Sequence, residues 1–234
     1  AAPPVNLDSF TANLAVNFAL LEQGTNYISV RAWDKAGSTT TVNDVFYVKK
    51  DNALPGITDN QAGDDAWRNS NTGVYNVDFA DAGSLLEKAE VKITTGIAQT
   101  GTLIADWTAV LPAINSASYS SDWPLTSGLW SLLQSGTNYV SVRAFDYAGN
   151  ISTTTDAFYV RKSTAGPVIT DNQAGDDVWR AANTGVYNVD FADTGGAGLS
   201  YFQIKVSTGP GQTGTLIADW TSIATSINAA SYTA

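Results

Sequence analysis

Oxygen donors bunched in one loop are the first chemistry this chain offers. Asp59, Asn60, Asp64 and Asp65 lie close together in one run, and the same run returns as Asp171, Asn172, Asp176 and Asp177. Calcium takes about six to eight oxygens from carboxylates and amide carbonyls in a flexible shell. Calcium is therefore the ion such a loop could hold, and no other cofactor is implied. The spacing is not that of an EF-hand, which wants acidic residues at alternate positions and a Glu at the twelfth. A solvated loop whose Asx turns bind their own backbone is the competing reading.

Two further aspartates, Asp34 and Asp146, open the tight turns Asp34–Gly37 and Asp146–Gly149. A carboxylate there can accept amide protons across its own turn, which is a sufficient structural role. Among the seven tryptophans, Trp67 and Trp179 follow the acidic loops and precede Arg68 and Arg180. Exposed aromatic rings stack on sugars, so a glycan is one candidate ligand. Covering an adjoining domain, or pairing with a cation over the ring, is the other reading. Trp107 and Trp220 sit in an alternating strand and Trp130 precedes Leu132-Leu133, so all three are expected in the core.

Much chemistry is excluded. The chain has no Cys, His or Met, so it lacks disulfides, thiolate zinc sites, a thiol nucleophile and a triad base. The carboxylates cluster in turns and do not flank a cleft signature as a glycosidase pair would. There is no GxSxG and no phosphate loop opening a helix, and an enzyme is not expected. Twelve basic against 22 acidic residues give a net charge of −10, which argues against a nucleic-acid surface. No apolar run approaches the ~18 residues of a membrane span.

What positions these residues is a repeat. Ile57 begins ITDNQAGDD and Ile169 begins it again, an offset of 112, and nearly all of the stretch Ile57–Gly83 recurs at that offset. QTGTLIADWT at Gln99 returns at Gln212, an offset of 113, so one residue has been added near Thr194–Gly198. Within a repeat the apolar period is two. Tyr75, Val77 and Phe79 share a face, as do Ala89, Val91 and Ile93, and Val140, Val142 and Ala144. Such segments are half-buried strands. Only Leu125–Leu133 has room for a helical turn. Some seven short strands per period point to two packed antiparallel sheets.

The run Leu133–Asn150, with Gly136-Thr137-Asn138-Tyr139 leading in and Val142 to Asn150 (VRAFDYAGN) leading out, resembles the last hairpin of bacterial immunoglobulin-like and fibronectin-type-III-like domains. Leu21–Ser38 has the same form, with Ser38 in place of Asn150. The resemblance implies an all-β chain of tandem immunoglobulin-like β-sandwiches of about 112 residues. It also implies that Tyr27 and Tyr139 are corner tyrosines, each hydroxyl bonding upstream backbone. In tandem bacterial arrays such domains serve as adhesin stalks, filament or surface-layer subunits and spacers.

The frame is permuted: half, whole, half. Residues 1–52 match the later part of a repeat, 53–164 form one complete repeat, and 165–234 match the earlier part. Neither half can close two sheets alone. The expected function is a structural repeat unit of an extracellular or cell-surface filament, stalk or layer, whose half-domains are completed by copies of itself or by adjacent repeats. The alternative is an adhesin or carbohydrate-binding module presenting Trp67 and Trp179. Absence of the most oxidation-prone side chains suits an extracellular setting.

Overall fold

The computed structural model describes residues 8–233 apart from 62, 174 and 176. The chain is mostly β. Its strands are β1 (Gly24–Trp33), β2 (Thr39–Lys50), β3 (Gly56–Asp59), β4 (Asp64–Arg68), β5 (Val77–Ala80), β6 (Leu86–Gly96), β7 (Thr100–Leu111) and β8 (Ser118–Tyr119). After the one-and-a-half-turn helix α1 (Ser127–Leu132) come β9 (Gly136–Asp146), β10 (Ile151–Lys162), β11 (Val168–Asp171), β12 (Val189–Ala192), β13 (Leu199–Gly209), β14 (Thr213–Ala229) and β15 (Ser231–Thr233). No helix is long and apolar enough to cross a membrane among the described residues.

Residues 53–164 hold the buried core. A five-stranded sheet, in the order β4-β10-β9-β6-β7, faces a three-stranded sheet, β3-β5-β8. The alternation read in the sequence is the alternation of burial: Val77, Phe79, Ala89, Val91, Ile93, Val140, Val142 and Ala144 all point into the core. Each large aliphatic or aromatic side chain so buried contributes about 1.5–3 kcal/mol. At the centre Tyr75 stacks on Phe158, with ring centroids 4.2 Å apart, and Trp123 meets both rings edge-on at 6.4 and 5.8 Å. The buried indole donates to Val77 O at 3.1 Å, so its polar atom is satisfied inside an apolar core.

Helix α1 closes one end of this core. Thr126 caps it by accepting from Leu129 N at 3.2 Å. Leu129 and Leu133 are buried beneath it. The Lys162 ammonium donates to Trp130 O (2.9 Å) and Leu133 O (2.8 Å), satisfying carbonyls that a helix end leaves open.

The flanking segments repeat these pieces separately. Strands β1 and β2 form a hairpin paired with no third strand among the described residues. Its register, Tyr27↔Tyr47 and Ile28↔Phe46, is that of Tyr139↔Tyr159 and Val140↔Phe158 in β9 and β10. Lys50 reproduces Lys162, donating to Leu21 O at 2.6 Å with its ammonium 5.5 Å from the Phe18 ring. On the C-terminal side, β11-β12-β15 matches β3-β5-β8, and β13-β14 matches β6-β7. Strand β6 lies between β7 and β9, whereas β13 pairs, among the described residues, with β14 alone. Strand β4 has no counterpart strand in residues 177–180.

Trp107 and Trp220 depart from the core placement expected of them. Trp107 lies on the outer face beneath the Arg143 guanidinium, 4.4 Å from its ring centre. Trp220 is largely exposed, with Lys205 5.9 Å from its ring. The β6–β7 and β13–β14 ladders both shift register repeatedly. Bulges of this kind undo the period-two rule for assigning a face. Trp130 packs partly buried against the core.

Candidate functional site

The acidic loop does not gather its oxygens around one point. Asp59 accepts from Gln61 N at 2.8 Å, an Asx turn, and Asp171 does the same with Gln173 N at 2.9 Å. Burial raises the Asp59 carboxyl above its ordinary value, with the Gln61 amide pulling the other way. Asn60 donates to Asp78 (2.9 Å) and Asn76 (3.2 Å), and Asn172 to Asp190 (2.7 Å) and Asn188 (3.4 Å). Asp64 is engaged by Arg68 at 2.7 Å. Asp65 accepts from the Tyr159 hydroxyl at 2.5 Å and pairs with Arg161 at 3.1 Å. Each donor thus serves a separate neighbour. Asp177 is exposed, and Asp176 lies outside the described residues.

The carboxylates that do converge are Asp51, Asp81 and Asp146, whose oxygens lie within 4.8 Å of one another, the one group among the described residues with the spacing of a metal site. Turn bonds already occupy much of it. Asp146 accepts from Asn150 N (2.8 Å) and Asn150 Nδ2 (2.7 Å), and Asp81 from Leu85 N (2.7 Å). Burial raises Asp51, but hydrogen bonds from Ser84 and Ala53 outweigh it and hold the carboxyl below its ordinary value. Asp34 matches Asp146, accepting from Ala36 N (2.9 Å) and Ser38 N (2.8 Å). These turn roles are the ones expected of Asp34 and Asp146. Tyr139 forms a ring pair with Tyr159 across the ladder at 6.1 Å, and Tyr27 with Tyr47 at 6.2 Å. The tyrosines thus belong to the hairpin surface.

Asp51 marks the first of two matching junctions. A side chain at Gly83 would run into the Asp51 carboxylate, and one at Gly195 into the Ser163 hydroxyl. Ser163 stands one repeat after Asp51, and Gly195 one repeat after Gly83. At both places the segment leaving a hairpin presses on the same glycine-containing turn of the next repeat. At the second junction the Trp67 ring also reaches the turn, 3.1 Å from where a Cβ on Gly196 would stand. The Arg161 guanidinium sits 5.9 Å from the same ring. Trp67 is half-buried, whereas Trp179 is entirely exposed.

The remaining feature is a pair of open faces. In the C-terminal segment Phe191 stacks on Phe202 at 4.2 Å, and Tyr232 flanks them at 5.2 Å. A groove of about 680 Å³ runs beside them, lined by Ile169, Val186, Tyr187, Phe202, Ile204 and Tyr232. In the N-terminal hairpin the inward positions Ile28, Val30, Phe46 and Val48 are half-buried and Ala32 is exposed. Their matches Val140, Val142, Phe158, Val160 and Ala144 are fully buried. The sequence held the signal for this face, since the members of every one of these pairs stand one repeat apart. Sequence reasoning missed the Tyr75–Trp123–Phe158 cluster and the glycine junctions. Period-two counting places a residue on a face but does not say which faces meet. No protein-family model matches the chain, and no curated protein shows significant similarity to it.

Proposed function

We propose that the chain is a structural repeat unit of an extracellular bacterial filament, stalk or surface layer. It is built of tandem immunoglobulin-like sandwiches, and its two half-domains are completed by neighbouring repeats. The observation that carries this reading is the division of one ring stack. Tyr75 and Phe158 close the central core. Tyr187 stands one repeat after Tyr75, in the C-terminal segment, and Phe46 one repeat before Phe158, in the N-terminal hairpin. Each flank supplies one half of the pair that the central repeat holds together.

The area supports this. The accessible surface is 15070 Å². A compact protein of 24.6 kDa exposes about 10,000 Å², and two compact bodies of half that mass about 12,000 Å². The excess of about 3,000 Å² lies within the range of permanent interfaces. Pairing the β13 edge with β1 of a neighbour would remove both open edges, and a head-to-tail contact of this kind propagates as a line. The absence of Cys, His and Met fits an exposed mechanical part.

Sedimentation across a wide concentration range, with electron microscopy of the heavier species, tests the reading. The expected result is linear strings of equal beads growing with concentration. A chain that stays monomeric at millimolar concentration would overturn it.

A further inference from the structure

Trp179 is the one tryptophan with its whole surface exposed, at 100%, and a corner elsewhere on the chain lacks the ring that its counterpart contains. At the junction after Lys162, Trp67 fills the angle between the hairpin β9–β10 and the turn at Gly196. It is held there because β4 runs parallel to β10, with Arg161 opposite Trp67 and Lys162 opposite Arg68. At the junction after Lys50, the matching angle is a cavity of about 590 Å³ whose walls include Thr25, Lys49, Asp51, Gly83, Leu85 and Tyr147. It is built from the same positions: Lys49 stands one repeat before Arg161, and Asp51 one repeat before Ser163. No tryptophan lines it. The residue one repeat after Trp67 is Trp179, at the far side of the central repeat.

We propose that Trp179 of one copy of this chain seats in the Lys49–Gly83 corner of a second copy and locks the completed half-domain to the repeat that follows it. The inference rests on the half-domain reading above and adds the residue that fixes the joint. Residues 177–180 would pair with the end of β2 of the second copy, as β4 pairs with β10. That pairing brings the indole against the Gly83–Leu85 turn, where Ser84 stands one repeat before Gly196, and sets the Lys49 ammonium over its face, where Arg161 sits over Trp67. A cation held over an indole face in a partly dry corner is a favourable contact. Asp177 would meet Lys49 as Asp65 meets Arg161 at 3.1 Å. With that ring seated, the joint after Lys50 gains the tryptophan that the joint after Lys162 already holds.

The experiment uses the full chain with Trp179→p-benzoylphenylalanine, as an equal mixture of ordinary and ¹⁵N-labelled copies, irradiated after assembly and mapped by mass spectrometry. The expected result is mixed-isotope crosslinks from position 179 to the 83–85 turn or to Tyr147. Trp179→Ala is run beside it. Truncating a central interface tryptophan is expected to weaken association about tenfold or more while leaving the melting of the dilute chain unchanged. Trp67→Ala serves as the control, expected to loosen an internal joint without weakening association. Assembly with crosslinks elsewhere, or within one copy, overturns the Trp179 assignment and leaves the half-domain reading standing. An unchanged association constant for Trp179→Ala does the same. Failure of the unsubstituted chain to assemble overturns both.

Discussion

The central repeat and its two flanks are nearly one sequence in two conditions. Tyr75 is 1% exposed and Tyr187 is 53%; Val91 is 0% exposed and Ile204 is 46%. Yet β13–β14 and β1–β2 adopt the same hairpins as β6–β7 and β9–β10. Hairpin formation is therefore local, fixed by alternation and by turns such as Asp34–Gly37. Burial is not local. It needs complete facing sheets: the N-terminal flank shows one hairpin, and the C-terminal flank shows β11-β12-β15 and β13-β14 without strands matching β9 and β10 among the described residues.

The comparison can be pressed hardest at its centre. Trp123→Ala removes a buried indole and its bond to Val77 O, and should cost about 3–5 kcal/mol of central-repeat stability; calorimetry should show one transition falling while any flank signal stays. The matched pair Tyr75→Ala and Tyr187→Ala is the sharper test. The first should cost a comparable amount, the second less than about 0.5 kcal/mol in the dilute chain. Equal effects in thermal unfolding would show that the flanks already bury their cores.

Next comes the ion pair on the outer face. Arg143 reaches Glu90 at 2.6 and 2.8 Å, and Lys88 reaches it at 2.7 Å. Burial raises the Glu90 carboxyl, but the bonds from Lys88 and Arg143 outweigh it and hold it below the ordinary 4.5. A folded value below the unfolded one gives stability that is present above about pH 4.5 and is lost as pH falls through the lower folded value. The C-terminal segment carries Gln203 and Tyr201 where the central repeat has Glu90 and Lys88, an offset of 113. Acid should therefore weaken the central repeat through this pair, which the C-terminal segment lacks. Arg143→Ala should cost about 2–3 kcal/mol at neutral pH, because it strips one partner from a mostly buried carboxylate. Denaturant melts at pH 7 and below pH 4 check both.

A smaller cost than that of Arg143→Ala is expected at the junction. Gly83→Ala would push a methyl into the Asp51 carboxylate and should cost about 1 kcal/mol or somewhat more. The expected readout is faster proteolysis near Asn52–Leu54, with little change in the central melting.

Much of the fold was legible because it follows from period two: Val77, Phe79, Ala89, Val91, Ile93, Val140 and Val142 all face inward as their spacing demands. Asp34 and Asp146 were legible because an aspartate opening a tight turn has amides within reach. Trp107 and Trp220 were not, because the bulged ladders reset which side a residue faces. The acidic loop misled for a different reason. Spacing shows that carboxylates are near one another along the chain, but Asp64 and Asp65 are consecutive in β4 and face opposite sides, where Arg68 takes the one and Tyr159 and Arg161 the other. The trio that converges, Asp51, Asp81 and Asp146, is drawn from widely separated parts of the chain and has no local signature.

Amide hydrogen exchange of the full chain, compared between dilute and concentrated solution, tests the central claim most directly. If the flanks complete one another, amides along β1, β13 and residues 177–180 should slow as concentration rises, while those of β6, β9 and β10 stay as they were. Equal exchange along β1 and β13 at every concentration would contradict it.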